Sequence, residues 1–123
     1  YNSSIIASKK VKAKDVTRWG IFKTEKLNKN NFLIKDVIEK PTIKLAPSNH
    51  AVIGRYILPK KIFKILEKQK SGRNGEIHIT DAIRTLIHQK NKFIGHVFAG
   101  KYLDCGTMKG YINSSLEISK LQL

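Results

Sequence analysis

AVIGRYIL, residues 51–58, decides the fold class of this chain. Apolar residues run through the stretch almost unbroken, and Arg55 is its one charge. Strict alternation marks a strand with one wet face, whereas a continuous apolar run marks a strand covered on both faces, as in sheets flanked by helices. Pro59 follows and fits the first turn of a helix, where its missing N–H is not needed. Ile62, Phe63, Ile65 and Leu66 give that helix an apolar face, and Ser71-Gly72 and Asn74-Gly75 are stop and turn signals.

Downstream, Thr80 reads as an N-cap, with Asp81 in the first turn, where it complements the helix dipole. Ala82, Ile83, Leu86 and Ile87 form one helical stripe, and His88 falls at its surface end. Residues 93–98 (FIGHVF) read as a strand, left by 101–106 (KYLDCG). Thr107 then caps a last helix, with Met108, Tyr111, Ile112 and Leu116 on its inner face. Upstream, residues 3–12 read as a strand, and Asp15-Val16-Thr17 as a turn or single helical turn. Residues 19–24 and 32–39 read as a hairpin, whose longer loop holds Asn28, Asn30 and Asn31. Pro41 and Pro47 bracket an irregular link. Strands alternate with helices in the second half, so the class is α/β or mixed α+β. No internal repeat, low-complexity tract or interdomain linker interrupts the chain.

Composition narrows the function classes. The 123 residues suit one domain, and 41% hydrophobic content is too high for a disordered basic tail despite a net charge of +15. One cysteine rules out an internal disulfide framework. No apolar run approaches a membrane span, no secretory leader opens the chain and no lipidation motif closes it, so the expectation is a cytoplasmic protein with no membrane partner. The first residue is Tyr1 rather than Met, which suggests a processed chain or a piece of a longer one. The positive charge invites a nucleic-acid reading, since phosphate contacts favour basic surfaces. Against it, 20 of the 24 basic residues are Lys and 4 are Arg, beside 17 Ile and 8 Asn. That composition looks like an AT-rich coding sequence, whereas dedicated readers lean on Arg for bidentate contacts. The expectation is a solvated lysine surface and no nucleic-acid partner.

Taken locally, few residues announce chemistry. Glu39-Lys40-Pro41 ends a strand, and is either an ion pair before a proline turn or a grip on a polar anionic ligand: Lys as a point charge on phosphate, Glu accepting from sugar hydroxyls. Asp104-Cys105-Gly106 is either a turn or the site of a Mg²⁺ ligand, because Mg²⁺ takes one or two carboxylates plus phosphate oxygens. Gly20 after Trp19 permits a close approach to the backbone, or marks a simple bulge. Cys105 reads as a small packed residue, and the four His lack metal-ligand spacing. There is no Walker loop, no CxxC and no Ser-His-Asp arrangement.

Read together, WGIF (19–22), VIEKP (37–41), APSNHAVIGRYIL (46–58), GEIHITDAI (75–83) and KYLDCGTMKGYI (101–112) are more specific. In this order and spacing they resemble the C-terminal half of the bacterial UTP–glucose-1-phosphate uridylyltransferases, a branch of the sugar nucleotidyltransferase family. The resemblance covers roughly residues 3–120. The Glu-Lys-Pro and Asp-x-Gly themes also occur in the sibling thymidylyltransferases, while SNHAVIGRY with TDAI and DCG looks closer to the uridylyl branch.

The resemblance implies an α/β fold: the C-terminal portion of a Rossmann-like, GT-A-like mixed sheet flanked by helices. Residues 1–123 would form a single unit, the sugar-phosphate-binding half. It implies backbone contacts from Gly20 and Val52 to the sugar, a Glu39 carboxylate on its hydroxyls, Lys40 on its phosphate as the catalytic cation, and Asp104 as one of two aspartates on Mg²⁺. The partners implied are glucose 1-phosphate and UDP-glucose. The family's glycine-rich GxGTR-type loop and its other metal aspartate have no counterpart here. The expectation is therefore an inactive chain with a bare apolar sheet edge and face, paired with the missing N-terminal half or with a second copy. The competing readings are a non-catalytic remnant and a small basic nucleic-acid-binding module.

Overall fold

The computed structural model describes residues 3–72 and 75–121. The chain runs through β1 (Ser4–Lys10), a 3-10 segment (Ala13–Arg18), β2 (Gly20–Lys26), β3 (Asn31–Glu39), a second 3-10 segment (Ile43–Leu45) and β4 (His50–Ile57). It continues through α1 (Lys61–Lys68), α2 (Ile79–His88), β5 (Phe93–Val97) and α3 (Met108–Ser119). Each strand anticipated in the sequence is present, within a few residues of its expected bounds.

The strands order as β1-β4-β2-β3-β5 and close into a barrel. β1 and β5 pair in parallel and the other pairs are antiparallel, which makes the sheet mixed. Closure gives every strand two hydrogen-bonded neighbours, so the expected bare edge is absent among the described residues. The β2–β3 hairpin turns through residues 27–30. There the Asn28 Oδ1 accepts from the backbone N–H groups of Asn30 and Asn31 at 3.0 and 2.9 Å, a side-chain mimic of a turn.

Inward-facing residues of the strands meet one face of α2. Ile6, Phe22, Phe32, Val37 and Phe93 pack with Ala82, Ile83 and Leu86, so the stripe read on that helix is the buried one. Arg84 fixes α2 on β3 by donating to both oxygens of Asp36, at 2.9 and 3.1 Å. Gly95 lies under the Phe32 ring, where an added Cβ would overlap the ring carbons.

Several expectations are corrected. β4 is covered on both faces only over Ala51–Ile53, while Gly54 and Arg55 are exposed. The reason is local: Gly54 has φ +75°, and the β1–β4 register slips between Ile6 and Ser8, so the strand bends out of the layer. In α1 only Ile62 is buried, and Phe63 is 65% exposed because it lies off the face that meets α2. Of the turn signals, Gly75 donates to the Gly72 carbonyl at 3.2 Å, and Asn74 lies outside the described residues. Cys105 is exposed rather than packed.

α3 is capped as expected, with the Thr107 hydroxyl accepting from Gly110 N at 3.0 Å. Its inner face is not the apolar one. Met108, Tyr111, Ile112 and Leu116 all face outward, Met108 at 75% exposure, and Ser114 is its one buried residue. The small residues Gly110 and Ser114 let the helix close on the 101–104 segment, where a Cβ on Gly110 would overlap the Asp104 carbonyl. No helix among the described residues is long and apolar enough to cross a membrane.

Candidate functional site

The hairpin register places Gly20 directly opposite Glu39, and the ladder closes with Lys40 N donating to the Trp19 carbonyl at 3.0 Å. β2 meets β4 through Ile21 and Ala51, which brings Val52 beside Gly20. At Gly20 an added Cβ would lie 3.0 Å from Glu39 Oε2, 3.0 Å from Thr80 Cγ2 and 3.1 Å from Val52 Cγ2. The glycine is therefore required by close approach rather than by a bulge; the bulge in β2 comes later, at Lys23/Thr24.

Thr80 corrects the capping expectation. α2 begins at Ile79, its N-cap position is His78, and Thr80 lies in the first turn at 5% exposure. Its hydroxyl donates to Glu39 Oε2 at 2.8 Å, joining α2 to the end of β3. A buried threonine that holds a carboxylate oxygen fixes the rotamer of Glu39 and leaves Oε1 for another partner.

These residues line a cleft of about 310 Å³ together with Arg18, Tyr56, His78 and Tyr102. Tyr56 has its phenol pushed up by burial and then by the charge of Glu39 and by Tyr102, and Tyr102 by burial and then by Asp104. Both hydroxyls remain protonated donors at neutral pH. Trp19 stands edge-on to Tyr102 with centroids 5.5 Å apart, and Arg18 stacks over Trp19 at 5.6 Å.

Arg18 and Tyr102 also line a neighbouring depression of about 590 Å³, which contains Asp104, Lys9, Lys101 and Lys109. Asp104 is thus one wall away from the Glu39 cleft. Its Oδ2 accepts from Arg18 at 2.9 Å and its Oδ1 accepts from Gly106 N at 3.0 Å. No group of three acidic, His or Cys side chains that could hold a metal occurs among the described residues. As a hard oxygen donor Asp104 fits one vertex of a Mg²⁺ shell and no more, and there it would share its Oδ2 with Arg18.

The structure brings together Gly20, Glu39 and Val52, sets Asp104 next door, and leaves Lys40 outside the lining of the cleft. Lys40 is exposed and its backbone is in the left-handed region, φ 43°. The cation that lines both depressions is Arg18, which the sequence did not single out. Thr80, Tyr56 and Tyr102 were also missed as site residues. For Thr80 a signal existed, since a hydroxyl at a helix start after GEIHI is as able to face the sheet as to cap.

The chain is thus a mixed sheet packed by helices that carries a glutamate cleft at one hairpin end and an aspartate beside it. The model of the nucleotidyl transferase family matches residues 2–120, and the chain belongs to that family. Within the family it is similar to the UTP–glucose-1-phosphate uridylyltransferase of Pseudomonas aeruginosa, 36% identical over 115 residues, 94% of this chain and 41% of that protein. The putative UTP–glucose-1-phosphate uridylyltransferase of Methanocaldococcus jannaschii is 36% identical over 118 residues, 96% of this chain and 41% of that protein. Among solved structures, a UDP-glucose pyrophosphorylase complexed with UDP-glucose superposes with a TM-score of 0.91 at 45% identity, over 98% of this chain and 45% of that one. The chain spans about two fifths of the length of the curated relatives it matches.

Proposed function

We propose that this chain is the sugar-phosphate side of a UTP–glucose-1-phosphate uridylyltransferase, and that it works only with the part of the protein outside its 123 residues. The observation that carries the reading is the Gly20–Glu39–Val52 cleft with Glu39 held by buried Thr80. A sugar is recognised through hydroxyls, which need fixed acceptors and a close backbone. The cleft offers the Glu39 carboxylate, held by Thr80, with the backbones of Gly20 and Val52 in its wall for that purpose.

In the whole protein a glucose 1-phosphate oxygen attacks the α-phosphorus of UTP in line. The new P–O bond gives UDP-glucose as the bond to pyrophosphate breaks. Such transfers ask little covalent work of the protein, and positioning dominates. Glu39 accepts from the sugar hydroxyls, the Gly20 and Val52 backbones approach the ring, and Lys40, exposed next to Glu39 in the chain but outside the cleft lining, offsets phosphate charge. When bound, Mg²⁺ would neutralise developing phosphate charge, with Asp104 as one ligand.

The exposed apolar face of α3 supports a covered surface in the assembled protein, against the rest of the domain or a second copy. A cytoplasmic setting agrees with UTP chemistry. Pyrophosphate release from UTP, glucose 1-phosphate and Mg²⁺ tests the reading, with this chain alone and with the complementary part of the protein added. Activity in the mixture alone is expected. Activity of the chain alone refutes the division of labour, and silence in both favours a remnant that keeps the fold without the reaction.

A further inference from the structure

The opposite end of the hairpin carries a third cavity, lined by none of the residues of the sugar cleft. The registers build it: Lys10 of β1 pairs with His50 of β4, Lys26 of β2 with Phe32 of β3, and Asn31 of β3 with His96 of β5. With Lys29 of the hairpin loop, Lys10, His50, Lys26, Phe32 and Asn31 surround a mouth of about 740 Å³, within the range of small-molecule sites. It is more than twice the size of the sugar cleft.

Three observations give it a chemistry. First, Lys10, Lys26 and Lys29 contribute three positive charges, and none of them pairs with a carboxylate side chain among the described residues. Charges of one sign converging on a concavity focus the field and draw a counter-ion. Second, the loop is held in shape by Asn28 Oδ1 on the Asn30 and Asn31 N–H groups, and by the Asn31 Oδ1 contact with His96 Nδ1 at 2.7 Å. Third, His50 Nδ1 is shut off from solvent and has no hydrogen-bond partner, while its ring packs on Phe32 with centroids 4.6 Å apart. A buried polar atom without a partner is costly, and the residue that carries it stands in the wall of the mouth. Burial, and then the nearby Lys10, holds the imidazole below its ordinary pKa.

We propose that this mouth is an oligophosphate-binding site, separate from the sugar cleft. Ammonium groups suit phosphate as point charges, and the mouth holds no Arg to form a fork with a single carboxylate. Three cations match two or three phosphate units better than one. The site does not depend on the uridylyltransferase reading, since it uses none of Gly20, Glu39, Lys40, Val52 or Asp104.

The test is calorimetric titration of the 123-residue chain with inorganic phosphate, pyrophosphate, tripolyphosphate and UTP at low and at physiological salt, with the His50 imidazole resonances followed by NMR. Pyrophosphate is expected to bind more tightly than phosphate, to shift His50 and to leave the surface His88 unmoved. K26Q/K29Q should weaken it about tenfold, and K64Q/K68Q, on α1 and outside the mouth, should not. UTP binding more tightly than tripolyphosphate identifies a nucleotide as the ligand, and UTP binding equally or less well identifies the free anion. No pyrophosphate binding, an unmoved His50, or equal loss in both double variants overturns the site. An RNA oligomer that binds more tightly and shows the same lysine dependence overturns it in favour of a nucleic-acid surface.

Discussion

Gly20→Ala isolates the close packing on which the sugar cleft rests. Its Cβ would meet Glu39 Oε2 at 3.0 Å, Thr80 Cγ2 at 3.0 Å and Val52 Cγ2 at 3.1 Å, each about half an ångström inside ordinary contact. Val52 and Thr80 are buried in β4 and α2, so neither retreats without moving its element. Glu39 is the side chain that can turn away, and doing so breaks the 2.8 Å bond from Thr80, a bond to a charged group worth about 1.5–3 kcal/mol. Keeping that bond means overpacking, at about 1–3 kcal/mol. A stiffer unfolded chain offsets about 0.4–1 kcal/mol of either loss. The expected net destabilisation is about 1–2 kcal/mol, about 5–10 °C in Tm. Two other glycines calibrate the result. Gly54→Ala faces open space and bears only the strain of φ +75°, about 1 kcal/mol before the same offset. Gly95→Ala drives into the Phe32 ring and should approach the cost of a core aromatic truncation, about 3–5 kcal/mol. Urea unfolding of the three variants should therefore rank Gly95 worst, Gly20 intermediate and Gly54 mildest. If Gly20→Ala is no worse than Gly54→Ala, the cleft is looser than the geometry says and the account of Glu39 fails.

Thr80→Val keeps the shape and removes the donor on Glu39; glucose 1-phosphate affinity in the full protein should fall about tenfold and return with Thr80→Ser, and an unchanged affinity would show that Glu39 is placed without Thr80. Glu117 is held at about pKa 2, chiefly by its hydrogen bond from Lys101 and then by that from Lys120. Because the folded value lies below the ordinary 4.5, this contribution is complete above pH 4.5 and is lost as pH falls toward 2. The amide-exchange protection of α3, relative to intrinsic rates, should fall over that window before that of the strands does, and Glu117→Gln should remove this fall; equal behaviour of α3 and the strands would refute it. Ile112→Glu with Leu116→Glu should reduce self-association of the isolated chain in sedimentation velocity, and no difference would mean that this face drives no association.

The elements, and the helix that would be buried, were legible in the residues alone. Period and chemistry were enough for that: the Ala82, Ile83, Leu86 and Ile87 stripe can be hidden in only one way, and the residues of β2 and β3 favour strands joined across an Asn-rich loop. The ordered motifs also pointed to the family, because such a set constrains a whole protein more tightly than any one pattern constrains a site. Tertiary structure decided what the residues face. Thr80 has the sequence mark of a cap, yet its hydroxyl serves a carboxylate 41 positions away, since only folding brings β3 to the start of α2. Arg18 sits in no motif and becomes the shared wall of two depressions by its bond to Asp104 across 86 positions. α3 shows the limit most plainly. Its amphipathic pattern is real, but a pattern names a face that needs cover and not the surface that supplies it. Here Gly110 and Ser114 allow the closer approach, so the small side wins the contact and the apolar side is left outward.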